Sequence, residues 1–186
     1  HVEDASGVEI TDNIVRDTLG MAVVLIDVQE SLISNNISER NFHGIWVSGS
    51  SHNNVIRDNT IRDQSGVGIA LSLSHETEIL ENSVTGNRMI GIELLGSSRN
   101  VVRGNRIVNN KGVGINLEES ANENIIVANV IEGNQHGIWL LASHDNMIRE
   151  NAIRGQSLNG IELNSSGNSQ LTLNEISSNT TALRMA

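Results

Sequence analysis

Apolar residues in this chain fall into two short blocks that return at a nearly fixed interval. One block places Ile10, Ile33, Ile56, Ile79, Val102, Ile126, Ile148 and Leu171 three residues before an asparagine. The same block places Val15, Ser38, Ile61, Val84, Ile107, Ile131, Ile153 and Ile176 two residues after it. Those asparagines are Asn13, Asn36, Asn59, Asn82, Asn105, Asn129, Asn151 and Asn174, at steps of 22 to 24 residues. The second block reads glycine, apolar, variable, apolar, as in Gly20-Met21-Ala22-Val23, Gly44-Ile45-Trp46-Val47 and Gly160-Ile161-Glu162-Leu163. Alternation at period two with β-branched residues predicts short strands, one face in and one face out.

Self-similarity at this interval is the signature of a solenoid, in which each repeat buries its apolar face only against its neighbours. Clusters such as Ser50-Ser51-His52-Asn53-Asn54 and Ala142-Ser143-His144-Asp145-Asn146 supply turn chemistry between the strands. A further amide column follows five residues after the first: Asn41, Gln64, Asn87, Asn110, Asn134, Gln156 and Asn179. Stacked amides at such positions hydrogen-bond to one another and to turn backbone that would otherwise be unpaired. Leucine-rich repeats have a similar period, but segments such as Asp63-Gln64-Ser65-Gly66-Val67-Gly68 lack helical periodicity. The pattern predicts an all-β parallel β-helix of about eight coils of about 23 residues.

The repeat His43-Gly44-Ile45-Trp46-Val47 followed by Ser51-His52-Asn53-Asn54-Val55-Ile56-Arg57-Asp58-Asn59-Thr60-Ile61 resembles that of NosD-like proteins. It also resembles that of mannuronan C5-epimerases and of the wider carbohydrate-binding and sugar-hydrolase group. The resemblance runs from about Ala5 to Met185 and implies a right-handed, single-stranded parallel β-helix. It also implies a carbohydrate-related, extracytoplasmic role (extracellular, cell-surface or periplasmic), but it transfers no active site. The Asp-Pro-His-Asp signature and tyrosine acid of the epimerases are missing, because the chain has no proline and no tyrosine. The Asp-Asp pair expected of polygalacturonase-like hydrolases is also missing. Catalytic residues are therefore unassigned; an enzyme of this kind would be a polysaccharide lyase, epimerase or glycoside hydrolase.

Composition narrows the partners. A net charge of −10 argues against nucleic acid, which requires clustered lysine and arginine. No run of 18 apolar residues is present to span a membrane. With no cysteine there is no disulfide or thiolate chemistry. No linker divides residues 1–186, which are read as a single β-helix domain. Starting at His1 and showing no capping helix, this domain is expected to be a segment of a longer protein.

The variable residue of the second block points outward, giving a column of Ala22, Trp46, Ala70, Glu93, Asn116, Trp139, Glu162 and Arg184. Indoles stack on sugar rings and offer an N–H donor, so Trp46, Glu93, Asn116, Trp139 and Glu162 are candidate contacts to a polysaccharide or oligosaccharide. The alternative is that each indole only covers its neighbours. His43 and His136 precede the glycine in a shared His-Gly-Ile-Trp motif, and either bind sugar hydroxyls or satisfy the bend. Glu93 and Glu118 form the best carboxylate pair on neighbouring coils. His52 and His75 share a column, with His144 three coils on, but two imidazoles fall short of the three or four ligands a metal takes. They are read as turn histidines, with no metal and no cofactor. Leu32, Val55, Val101, Ile125 and Met147 form an outward apolar column, either a protein-contact or self-association surface or a locally covered strand. A non-catalytic structural or adhesive solenoid that mediates assembly is thus the rival to glycan binding.

Overall fold

The computed structural model describes residues 1–186, and the chain winds as a right-handed parallel β-helix. Three parallel sheets run its length, of nine, eight and eight strands. Sheet 1 holds the longer strands, such as His43–Ser48, Val113–Glu118 and His136–Leu141. Sheet 2 holds strands such as Val55–Arg57 and Val101–Arg103, and sheet 3 those such as Thr60–Arg62 and Arg106–Val108. Every third strand pairs with the last of its own sheet, so each coil contributes one strand to each face. No helix is long and apolar enough to cross a membrane.

The core consists of stacked apolar columns. Ile56, Ile79 and Val102 align on sheet 2, Ile61, Val84 and Ile107 on sheet 3, and Ile69, Ile92 and Ile115 on sheet 1, all fully buried. Burying each such side chain contributes about 1.5–3 kcal/mol. Because the columns are β-branched, they fit the pleat without rotamer cost.

The corners are built from left-handed residues followed by amides. Asn35, Asp58, Glu81, Ala128 and Glu150 have φ of 54–57° and immediately precede Asn36, Asn59, Asn82, Asn129 and Asn151. Each non-glycine residue there costs about 1–2 kcal/mol, and the following asparagine offsets it. Asn59 Nδ2 donates to Ile33 O, Arg57 O and Asn82 Oδ1 at 2.9–3.0 Å, while Asn59 Oδ1 accepts from the Asn36 backbone N–H at 2.9 Å. The second amide column bonds in the same way, with the Gln64 N–H donating to Asn87 Oδ1 and the Asn87 N–H to Asn110 Oδ1. Ser38, polar where its column is otherwise apolar, accepts from Asn41 Nδ2 at 3.0 Å. A third column at the remaining corner, including Asn54, Asn100, Asn124 and Asn146, is also buried and bonded, as in the Asn100 N–H to Asn124 Oδ1 contact of 2.9 Å.

The glycine column of sheet 1 is required by close approach, not by backbone φ. A Cβ on Gly114 would lie 2.7 Å from both Gly137 O and Ile131 Cγ2. The alternating charges of the first coils pair across coils, Arg40 with Asp17 and Arg62 with Glu39.

Two expected alignments are corrected. Val24, not Ala22, pairs with Trp46, and Met21 pairs with His43. The first coil is thus two residues out of the register set by Gly20, and Ala22 stands at the position that glycine occupies in later coils. The apolar column of sheet 2 is also broken, because Glu78 stands between Val55 and Val101, and Leu32, Val55, Val101, Ile125 and Met147 are all half-buried.

Candidate functional site

The outer face of sheet 1 brings the candidates Trp46, Glu93, Asn116, Trp139 and Glu162 into one register row, with Ala70 between Trp46 and Glu93 and Arg184 after Glu162. The column is more buried than an outer face requires. Ala70 is 1%, Asn116 2% and Glu162 4% exposed, so the larger side chains around them shield this face.

His43 and His136 are placed by a local shortening of the chain. Two residues separate the amide column from the column glycine at Asn41–Gly44 and at Asn134–Gly137, where the intervening coils Gln64–Gly68, Asn87–Gly91 and Asn110–Gly114 have three. The shorter corner turns the histidine over its neighbours. His43 Nδ1 accepts the Val67 N–H at 2.8 Å, filling the need left by the extra residue of the next coil. Each imidazole also packs against the tryptophan of its own motif, His43 to Trp46 at 5.4 Å between ring centroids and His136 to Trp139 at 5.3 Å, the latter stacked at 28°. One side of each indole is therefore already engaged by the protein.

His136 has a different partner. Its Nδ1 lies 3.3 Å from Glu162 Oε2, close enough for an ion pair but not aligned for a hydrogen bond. Glu162 is held by Asn159 Nδ2 at 2.5 Å, Asn164 Nδ2 at 3.1 Å and the Arg184 guanidinium at 3.2 Å. Burial alone would raise this carboxyl, but the bonds from Asn159 and Asn164, helped by Arg184 and His136, overcome it and hold Glu162 below the usual carboxylate range. Burial pushes His136 and His43 down, toward the neutral imidazole. Glu93 moves the other way: burial raises its carboxyl, the neighbouring Glu118 charge adds to this, and the adjacent Asn116 amide opposes it.

Three buried side-chain polar atoms in the protein lack a hydrogen-bond partner: Asn116 Oδ1, His136 Nδ1 and Trp139 Nε1. All three fall on this face within two neighbouring coils. Buried polar groups elsewhere are bonded in the amide columns, so this cluster is where the regular repeat leaves hydrogen-bonding capacity unused. Asn159 and Asn164, which fix Glu162, escaped the sequence reading; the only signal is the polar pair bracketing Gly160-Ile161-Glu162-Leu163. The remaining histidines act at turns. His75 Nδ1 accepts the Ser98 N–H and His144 Nδ1 the Gly167 N–H, each at 3.1 Å.

Residues 1–153 match the family described as right handed beta helix region. The chain belongs to that right-handed β-helix family. Among solved structures, this β-helix is similar to the AlgE4 A-module mannuronan C-5 epimerase of Azotobacter vinelandii, with a TM-score of 0.88 and 20% identity over 97% of this chain and 56% of that one. The periplasmic alginate epimerase AlgG is similar with a TM-score of 0.73 and 20% identity, over 88% and 47% of the two chains. DFA-IIIase from Arthrobacter chlorophenolicus A6 without its lid gives a TM-score of 0.75 and 14% identity over 97% and 53%. At these identities the likeness is one of fold. The chain spans about half the length of these structures. No curated protein sequence matches it.

Proposed function

We propose that this β-helix binds an extended, neutral polysaccharide along the outer face of sheet 1. Trp46 and Trp139 contact sugar rings at the two ends of the track, with Glu93, Asn116, Glu162, His43 and His136 supplying or positioning polar contacts between them. The observation that carries this reading is the cluster of three unpartnered polar atoms around Trp139, on the same sheet face that carries Trp46. A sugar hydroxyl both donates and accepts, so one hydroxyl serves an indole N–H and an amide oxygen together. The indoles stand four coils apart, or about 19 Å at about 4.8 Å per coil, which suits an extended chain.

Charge selects among glycans. Glu93, Glu118 and Glu162 lie on this face, and its one cation, Arg184, is paired with Glu162. Arg88 and Lys111 stand on the flanking corner. Like charges disfavour a polyuronate, so a neutral polysaccharide is the better fit even though two of the similar structures are alginate or mannuronan epimerases. Those similarities support a carbohydrate role, and the periplasmic description of one supports action outside the cytoplasm. The assembly reading has weaker support, since Glu78 interrupts its stripe.

Affinity electrophoresis through gels containing mannan, xylan, galactan or laminarin, with alginate as the acidic arm, tests the proposal. At least one neutral polymer retards the protein, alginate does not, and Trp46→Ala/Trp139→Ala weakens retention at least tenfold. Retention by alginate alone, or by none of the polymers, or undiminished retention of the double variant contradicts it.

A further inference from the structure

We propose that this face also hydrolyses the polysaccharide it holds, cleaving the glycosidic bond above Glu93 with Glu93 as general acid and Glu118 as general base; this rests on the binding reading above. Position is the first argument. Glu93 stands two register steps from Trp46, through Ala70, and two from Trp139, through Asn116. A glycan spanning both indoles therefore crosses Glu93 at its midpoint, with binding contacts on either side of the bond, as cleavage within a chain requires.

The second acid is correctly offset. Glu118 pairs with Leu95, on the strand next to Glu93 and two residues beyond Asn116, so it shares the outer face. One strand spacing and two residue rises separate the two backbone positions by about 8 Å, an offset from which two side chains on one face can bring their carboxyls to the roughly 6.5–9.5 Å that leaves room for a water between an inverting pair. Glu118 is half-buried at the end of its strand, where water reaches it.

Asn116 is the independent mark of a site. It is 2% exposed and stands directly beside Glu93 in the register, yet its Oδ1 has no hydrogen-bond partner. An asparagine serving only the fold would have both ends satisfied, as the corner asparagines do. Here it stands as the register neighbour of Glu93, and its free acceptor is left for the substrate. Burial of Glu93 favours its protonated form, which an acid must hold before it acts.

In the step itself the Glu93 proton passes to the glycosidic oxygen as the bond from that oxygen to the anomeric carbon breaks. A water oxygen bonds to the anomeric carbon from the opposite face and gives its proton to the Glu118 carboxylate. One water is consumed, and the products are a chain with a new hydroxyl and a chain with an inverted hemiacetal end. Proton exchange with solvent restores the pair.

The test is release of reducing ends from mannan, xylan, galactan and laminarin by the whole chain, run beside the affinity gels. Release is expected from a polymer that retards the protein, with the new anomer inverted by proton NMR. Glu93→Gln and Glu118→Gln should each lower release at least a hundredfold while far-ultraviolet circular dichroism keeps the β-helix spectrum of the wild type, which shows that the variants fold. Retention without release, or release unaffected by either substitution, overturns this inference and leaves binding standing. Neither retention nor release overturns both.

Discussion

His136 Nδ1 and Glu162 Oε2 lie 3.3 Å apart on the outer face of sheet 1, in a side-chain pair that is 12% and 5% exposed. The equivalent histidine, His43, bonds to backbone instead. One repeat motif thus serves the bend in one coil and a carboxylate in another. Glu162 anchors the second arrangement, because Asn159, Asn164 and Arg184 converge on it.

Replacing Glu162 with glutamine should destabilise the protein at neutral pH by about 1–3 kcal/mol, since it leaves one of the Asn159 and Asn164 amides facing a donor in place of an acceptor and removes the charge opposite Arg184. The folded carboxyl titrates below its ordinary value of 4.5, so its contribution is present above that pH and disappears as pH falls through the folded value. Urea unfolding at pH 7 and pH 3 should show the gap between wild type and Glu162→Gln closing at the acid end.

Glu93 should behave in the opposite sense. Its folded carboxyl titrates above 4.5, so the native state binds the proton more tightly and stability is lost as pH rises through the folded value. Glu93→Gln should therefore match wild type near pH 4 and exceed it at pH 8. The same unfolding measurements report the sign directly.

The corner amides give a third expectation. Asn105 Nδ2 donates to Ile79 O, Arg103 O and Asn129 Oδ1, and its Oδ1 accepts from the Asn82 N–H. Asn105→Ala should cost about 3 kcal/mol or more, because each buried group left unpaired costs about 1–3 kcal/mol. Asn13→Ala should cost less, since Asn13 is exposed at the first coil. Thermal melts of the two variants make the comparison.

Gly114→Ala should cost about 1–3 kcal/mol through forced displacement of a packed neighbour, because its Cβ meets Gly137 O and Ile131 Cγ2 at 2.7 Å. Gly20→Ala meets nothing within 4 Å and should be neutral or stabilising by up to about 1 kcal/mol. Chemical denaturation of both separates the steric role of the column glycine from ordinary chain entropy.

The solenoid was legible because a stacked fold repeats its burial pattern, so Ile56, Ile79 and Val102 announce one column before any coordinate is known. The third amide column was harder to see because Ser31 and Thr77 take its place in alternate early coils while accepting the same role toward Asn54 and Asn100. Left-handed corner positions carry Asp, Glu, Asn, Ala and Leu alike, and where an amide follows, as Asn129 follows Ala128 and Asn174 follows Leu173, that amide and not the left-handed residue stabilises the bend. In the site, outward direction followed from alternation, but burial did not. That Asn116 is 2% exposed on an outer face depends on neighbours in adjacent coils, and the first-coil register was lost because Gly20 mimics a column glycine without occupying that position.

Both tryptophans lie in the candidate track and the chain has no tyrosine, so fluorescence excited at the indole band reports on that face alone. Titration with a neutral polysaccharide that retards the protein in affinity gels should give a saturable change, retained in part by each of Trp46→Phe and Trp139→Phe. Saturable binding of the polymer with no change in fluorescence would place it elsewhere on the β-helix and contradict the account.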